Sequence, residues 1–96
     1  MSDAITPFTV AIADADLDEL RQRLARTRWP ERETSDGWNQ GMPLDYTREL
    51  AQYWASTYDW RRFETRLNNW PQFKTPIDDI DIHFIHRRSP EKDALP

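Results

Sequence analysis

Three side chains near the end of the sequence are of types that can bind a metal ion. Asp79, Asp81 and His83 fall two residues apart, and alternate side chains of a β-strand point to the same face. Carboxylate oxygens and imidazole nitrogens together could hold a divalent cation. The same residues also make an ordinary polar strand face beside a turn, and we favour that interpretation. We therefore predict no metal site and no metal cofactor.

The two histidines of the chain do not suggest a shared metal site either. His83 and His86 lie three residues apart, which places them on opposite faces of a strand, so they cannot easily share one ion. We expect His83 to pack or to form a hydrogen bond within the sheet. The chain has no cysteine, which excludes disulfides, thiolate nucleophiles and cysteine-based metal sites.

Basic residues recur in the second half of the chain and could form a patch for an anionic partner. They are Arg61, Arg62, Arg66, Lys74, Arg87 and Arg88. A solvated face with ion pairs, such as one between Arg62 and the surroundings of Glu64, is the favoured interpretation. The net charge of −4 argues against a nucleic-acid partner, which would need a concentrated basic face.

Aromatic residues are frequent, with five Trp, four Phe and three Tyr among 96 residues. Trp54, Trp60 and Trp70 recur at helical spacing, and we predict that they pack in the core. Trp29 and Trp38 are flanked by proline, glycine and charged residues, so either loop anchoring or covering a partner surface is open for them. A ligand slot lined by Trp38, Trp54 and Trp60 is a weaker alternative.

The elements that position these side chains change from helices to strands along the chain. The pattern predicts a strand or extended arm at 8–13. It then predicts a first helix that is capped by Asp14 and ended by Pro30, and a second helix that begins at Pro43. A third predicted helix is capped by Asp59 and ended by Pro71. The segment "ERETSDGWNQGM" between the first two helices is a loop because it holds both glycines.

A β-hairpin follows the helices. "QFKTPI" predicts a strand whose Pro76 belongs at an edge or bulge, Asp78 and Asp79 form the turn, and "IDIHFIHRR" predicts the second strand. Its two faces both carry apolar groups, which is typical of a strand covered on each side. The predicted fold class is α+β: an N-terminal extended arm, three amphipathic helices and a β-hairpin.

Five groups of residues together resemble the N-terminal domain of microsomal-type epoxide hydrolases, over about residue 7 to the end. These groups are Thr27-Arg28-Trp29-Pro30, Tyr53-Trp54, Tyr58-Asp59-Trp60-Arg61, Leu67-Asn68 and Ile82-His83-Phe84-Ile85-His86. The resemblance implies that the hairpin begins the sheet of an α/β-hydrolase fold. It also implies a helical domain at 1–72 and opening strands at 73–96, with the catalytic domain absent from this chain.

The resemblance has consequences for chemistry. In such enzymes a carboxylate opens the epoxide to form an ester, a histidine paired with an acid activates water, and two lid tyrosines bind the epoxide oxygen. All these groups lie downstream of the matching region, so the resemblance implies no catalytic residue here. Asp59, Asp79, Tyr46, Tyr53 and Tyr58 match the family only as structural positions.

We therefore expect a structural part of an epoxide hydrolase that docks in cis on a catalytic domain and its lid. A stand-alone module that docks on a separate hydrolase is the alternative. Ile80, Ile82, Phe84 and Ile85 should then be exposed, self-associated or folded back onto the helices. No secretory signal or bilayer-spanning run is visible, so a cytoplasmic location without membrane contact is expected.

Overall fold

The computed structural model describes residues 4–96, and these form three helices and three strands. The elements in chain order are β1 (Thr6–Pro7), α1 (Asp14–Ala25), α2 (Leu44–Ser56), α3 (Trp60–Asn68), β2 (Gln72–Ile77) and β3 (Ile80–Ile85). The predicted α+β class, with helices followed by a hairpin, is confirmed. The chain divides into two compact units: one joins the segment up to Ala11 with Trp60–Pro96, and the other is Ile12–Asp59.

Helix α1 begins and ends at different residues from those predicted. Ala13, rather than Asp14, is the N-cap residue, and its carbonyl accepts hydrogen bonds from the backbone of Asp16 and Leu17. The helix stops at Ala25 and not at Pro30, because the Thr27 hydroxyl bonds back to the Leu24 carbonyl across 2.8 Å. Pro30 disfavours helical backbone angles only at Trp29, the residue before it, so it does not set the end at Ala25.

Helix α2 begins one residue later than predicted. Pro43 has extended backbone angles and is the N-cap residue, so Leu44 is the first helical residue. The α1 and α2 helices pack against each other. On α1 the contacting stripe is half-buried and consists of Leu17, Leu20 and Leu24, as the helical spacing predicts.

The sheet is antiparallel with the order β1-β2-β3. Strand β2 has the predicted bounds, whereas β3 ends at Ile85 and does not continue to Arg88. Asp78 and Asp79 have φ values of 49° and 64°, as a two-residue turn between antiparallel strands requires. The prediction of the turn is therefore confirmed, although neither residue is the glycine that such a turn favours.

The N-terminal strand lies earlier than predicted, at Thr6–Pro7 and not at 8–13. After it, the Phe8 N–H donates to the Gln72 carbonyl across 2.8 Å. Further along, the Val10 N–H donates to Asn68 Oδ1, and Asn68 Nδ2 donates to the Val10 carbonyl, both across 2.8 Å. A side-chain amide thus replaces the backbone pairing that a longer strand would have supplied.

The position of Pro76 follows from the short length of β1. Pro76 pairs with Asp81 on β3, next to the pair of Ile77 and Ile80 that flanks the turn. Because antiparallel pairs alternate between hydrogen-bonded and non-hydrogen-bonded types, the missing N–H of Pro76 lies on the side away from β3. There β1 reaches only Phe73 and Lys74, so the predicted edge position is confirmed.

Candidate docking surface

Helix α2 presents a stripe of large apolar side chains to solvent. Tyr46, Leu50, Tyr53 and Trp54 are between 46% and 52% exposed, and their spacing places them along one side of a helix. We call these four residues the α2 stripe. A contiguous exposed apolar surface of this kind is typical of an interaction site.

The α2 stripe is exposed because the opposite side of the helix carries the smaller residues. On that opposite side, Leu44 is buried, and Ala51 and Ala55 are half-buried. Small side chains allow two helices to approach closely, so the larger rings are left on the outside. The prediction that Trp54 packs in the core is therefore wrong for this chain, whereas Trp60 and Trp70 are half-buried.

The loop before α2 holds Trp38 outward. Trp38 is 57% exposed and meets the Tyr46 ring edge-on, with the ring centroids 5.0 Å apart. Two hydrogen bonds of 2.9 Å close the loop: the Thr34 N–H donates to Gln40 Oε1, and Gln40 Nε2 donates to Thr34 Oγ1. Gly41, at φ 98°, donates its N–H to the Trp38 carbonyl. An ordered loop that presents an exposed tryptophan is suited to anchor a partner surface.

Two adjacent residues fix the base of this loop to the start of α2. Arg32 makes a bidentate ion pair with Asp45, and both nitrogen–oxygen distances are 2.8 Å. Glu33 Oε2 accepts the Leu44 N–H across 2.9 Å, at the positive end of the helix dipole. We call these four residues the Arg32–Asp45 clamp.

The clamp alters the pKa of its charged members. The hydrogen bond from Arg32 lowers the pKa of the Asp45 carboxyl, and the same bond raises the pKa of Arg32. The Leu44 N–H lowers the pKa of the Glu33 carboxyl. All three residues therefore favour their charged forms near neutral pH.

Trp29, the other tryptophan left open by the sequence, has a different environment. It is half-buried, and the Arg48 guanidinium lies 5.8 Å from the centre of its ring. Both residues line an open depression of about 380 Å³, together with Leu24 and Ala51. The cation–π contact with Arg48 therefore explains the position of the Trp29 ring by a contact within its own chain.

Strand β3 exposes most of its apolar side chains. Ile80, Ile82 and Ile85 are 64%, 40% and 50% exposed, while Phe84 is half-buried against Phe73 with their ring centroids 5.7 Å apart. The prediction of exposure is confirmed for the three isoleucines. In the part of the chain that the structure describes, no strand pairs with the outer edge of β3.

The three residues considered for metal binding are not arranged around a site. Asp79 lies in the turn with a positive φ, before β3 begins. His83 Nε2 lies 2.9 Å from Gln72 Oε1, and its ring packs on Phe8 with the centroids 4.6 Å apart. Across residues 4–96, no group of three or more His, Asp or Glu side chains could hold a metal ion. The expectation that His83 packs and bonds within the sheet is confirmed.

Two of the six basic residues, Arg61 and Lys74, form local contacts of the kind expected for a solvated face. Glu64 pairs with Arg61, at 2.8 Å, and this corrects the expected pairing with Arg62. The i, i+3 spacing of Arg61 and Glu64 places them side by side on α3. Glu64 also accepts a bond from Trp60 Nε1, and the Lys74 ammonium lies 4.4 Å from the centre of the Phe8 ring.

Sequence reasoning missed the polar residues that order the surfaces. Gln72 is only 4% exposed, and Asn68 and Glu33 each bind backbone groups far along the chain. Single glutamine, asparagine or glutamate residues carry no periodic signal. Carboxylates favour helix N-termini, but Glu33 is 11 residues away from Leu44 along the chain, so its place in the sequence does not indicate this contact.

Comparisons with known proteins match almost the whole chain. A profile of the family described as "Epoxide hydrolase N terminus" matches residues 5–96. A protein of Stigmatella aurantiaca, whose name assigns it provisionally to the epoxide hydrolases, is 49% identical over 92 residues, covering 96% of this chain and 21% of that protein. Epoxide hydrolase 1 of Sus scrofa is 35% identical over 89 residues, covering 93% and 20%.

Solved structures agree with the sequence comparisons. An enantioselective mutant of the Aspergillus niger epoxide hydrolase superposes with a TM-score of 0.84 at 33% identity, covering 97% of this chain and 25% of that one. The chain thus spans about a fifth of the length of the curated relatives it matches. Among the described helices, none has the length and apolar character needed to cross a bilayer.

Proposed function

Because this chain belongs to the epoxide hydrolase N-terminus family, we propose that it is a structural part of an epoxide hydrolase. In this proposal it docks on an α/β-hydrolase catalytic domain of the same polypeptide. The segment 1–72 forms the helical part, and 73–96 supplies the opening strands of the hydrolase sheet. The whole protein converts an epoxide and water to a vicinal diol through an ester intermediate.

The proposal assigns no catalytic, cofactor-binding or metal-binding residue to this chain. Tyr46 and Tyr53 lie in the α2 stripe, and Asp79 lies in the hairpin turn. An activated nucleophile needs a base within hydrogen-bonding reach and donors for the developing negative charge. The polar contacts of these residues supply no such combination, and their proposed role is to shape the docking surface.

The observation that carries the proposal is the exposure of side chains that are costly to leave in water. The α2 stripe, Trp38 and the isoleucines of β3 are all between 40% and 64% exposed. Burying an apolar side chain contributes roughly 25 cal/mol for each Å² removed from water. A partner that covers these surfaces would stabilise the chain substantially, and the catalytic domain of the family is the partner of matching architecture.

A chimera tests the docking function. The segment of Aspergillus niger epoxide hydrolase that superposes on this chain would be replaced by residues 1–96, and turnover of an aromatic epoxide would be measured. We expect soluble protein that forms diol. The purified 96-residue chain alone should form none, and diol formation by it above background would overturn the non-catalytic role.

Matched variants of the chimera test the surface itself. Trp54→Glu places a charge in the α2 stripe and should lower the yield of active enzyme at least tenfold. Gln52→Glu adds the same residue at another exposed position of the same helix and should leave the yield unchanged. Equal effects of the two substitutions would show that the stripe is not the docking surface.

The alternative function is a stand-alone module that docks on a separately encoded hydrolase. The edge of β3 that no described strand occupies is compatible with it equally, because an added strand can come from either polypeptide. Specific co-purification of the 96-residue chain with a separate hydrolase would support this alternative.

A cytoplasmic location and a role in detoxifying reactive epoxides are further parts of the proposal. Cell fractionation tests the location, and exposure of a deletion strain to epoxides tests the role in detoxification.

A further inference from the structure

Asp36 is the one aspartate of the chain that is followed directly by glycine. A side-chain carboxyl can react with the backbone nitrogen of the next residue, and a Cβ on that next residue hinders the approach. Glycine has no Cβ, so Gly37 leaves its nitrogen accessible to the Asp36 carboxyl carbon. Both residues lie in the loop between α1 and α2, directly before the exposed Trp38.

The contacts of this loop leave the Gly37 nitrogen open to attack. Gly37 is exposed, and no heavy atom beyond its chain neighbours lies within 4 Å of the place where a Cβ would stand. In the part of the chain that the structure describes, neither the Gly37 N–H nor the Asp36 carboxylate has a hydrogen-bond partner. Within the same described residues, the buried Ser35 hydroxyl also lacks one. This stretch is therefore held by its flanks, where Thr34 and Gln40 bond to each other.

From these observations we propose that Asp36 is a site of spontaneous isomerisation to isoaspartate. The Gly37 nitrogen attacks the carboxyl carbon of protonated Asp36. The amide hydrogen and the carboxyl hydroxyl leave as water, and a cyclic imide then joins the two residues. Water adds back to one of the two imide carbonyls and opens the ring. Because the water released is the water taken up, the reaction needs no oxidant, reductant or cofactor.

The position of ring opening decides the product. Opening at the former side-chain carbonyl restores Asp36. Opening at the main-chain carbonyl leaves Gly37 linked through the former side-chain carbon, and this product is isoaspartate. The main chain then passes through Cβ, and a carboxylate is attached directly to Cα.

Isomerisation lengthens the main chain of the loop that presents Trp38. The added carbon lies between Thr34 and Gln40, whose two closing hydrogen bonds span only 2.9 Å each. A longer loop fits these bonds less well, so they open more often. We expect Trp38 to lose its fixed position against the Tyr46 ring as a result.

Peptide mapping of the purified chain tests the covalent step. The chain is incubated for weeks in neutral buffer and then digested with trypsin, which releases Asp36 and Asp93 in separate peptides. We expect a second form of the Asp36 peptide with unchanged mass, in which electron-transfer fragmentation identifies isoaspartate. A chain without isoaspartate at Asp36 would overturn the proposal.

Asp93 is the control within the same molecule. It is also exposed, but Ala94 carries a Cβ and donates its N–H to the Glu91 carbonyl. Isoaspartate should form roughly tenfold more slowly at Asp93 than at Asp36, because the Cβ hinders the attacking nitrogen. Equal accumulation at the two aspartates would contradict the role of Gly37 and overturn the proposal.

A substitution at Gly37 tests the same role by a second route. Asparagine tolerates the left-handed backbone that Gly37 adopts at φ 69°, and no neighbouring atom meets a Cβ there. Gly37→Asn should therefore keep the fold, as measured by thermal unfolding, and slow isomerisation at Asp36 roughly tenfold. An unchanged rate in this variant would overturn the proposal, and the comparison with Asp93 does not depend on it.

Hydrogen exchange at the Thr34 amide tests the effect on the loop. This amide donates to Gln40 Oε1, so its exchange should rise several-fold in the isomerised chain as the loop opens. Asp36→Glu keeps the negative charge but would have to form a larger, less favourable ring, so the same incubation should leave its Thr34 exchange unchanged. An equal rise in both chains, or no rise in either, would overturn the effect on the loop. All these measurements use the purified chain, so their outcome is independent of docking on a catalytic domain.

Discussion

Gln72 determines which nitrogen of His83 carries a proton. Gln72 Nε2 donates to the Leu67 carbonyl across 2.8 Å, and because a carbonyl only accepts, Gln72 Oε1 must be the atom that faces His83 at 2.9 Å. His83 Nε2 is therefore protonated and donates. The bond joins the end of α3 to β3 through a glutamine that is 4% exposed, and it occupies one of the two ring nitrogens through which a histidine can bind a metal.

Gln72→Ala should destabilise the chain by about 1–3 kcal/mol, because it removes two part-buried hydrogen bonds that contribute about 0.5–1.5 kcal/mol each. Gln72→Glu keeps an acceptor for His83 but sets a carboxylate oxygen against the Leu67 carbonyl at a site that is 4% exposed, so it should destabilise the chain at least as much as the alanine variant. Urea unfolding followed by tryptophan fluorescence measures both. An unchanged midpoint for Gln72→Ala would contradict this role.

Asn68→Ala should release the segment around Val10 from the end of α3. Both hydrogen bonds between Asn68 and the Val10 backbone are lost, and at about 1 kcal/mol each their loss should raise hydrogen exchange at the Val10 amide several-fold. Asn68→Asp retains the acceptor and is the matched control, with a smaller increase expected. The exchange of β2 amides should not change in either variant.

The hairpin was the part of the fold most accessible from sequence. The strand bounds of β2 and the turn at Asp78 and Asp79 follow from alternation of apolar residues and from a pair of residues that tolerate positive φ. Both signals are local, and the structure agrees with them. The ends of helix α1 were less accessible because Asp14 and Pro30 mark where a helix can begin and end, not where it must.

The faces of α2 could not be assigned from sequence. A stripe with Leu50, Tyr53 and Trp54 resembles a core-facing pattern, and periodicity alone does not say which neighbour covers it. In the chain α1 packs on α2, while the stripe remains exposed. The pattern correctly predicted an apolar face, and the error lay in assuming that this chain contains the surface that covers it.

Asp79→Gly should stabilise the hairpin. Asp79 has a φ of 64°, which costs a residue with a side chain more than it costs glycine, and glycine is the favoured second residue of this turn. We expect a gain of about 1 kcal/mol, measured by thermal unfolding. Asp81→Gly, inside the strand where φ is extended, is the control and should destabilise; equal signs for the two variants would contradict the argument.

The Arg32–Asp45 clamp should make the stability of the chain depend on pH in acid. The pKa values of Glu33 and Asp45 are lowered in the folded chain, so their contribution is fully present above the ordinary carboxyl values of about 4.3 and about 3.9. It is lost as pH falls through the lowered folded-state pKa values, because the unfolded chain binds protons first. Glu33→Gln and Asp45→Asn should therefore lower the thermal midpoint at pH values above the ordinary carboxyl range and approach the wild type in stronger acid. Glu49→Gln, an exposed carboxylate of the same helix, is the control, and a difference from wild type that stays constant with pH for Glu33→Gln would contradict the clamp.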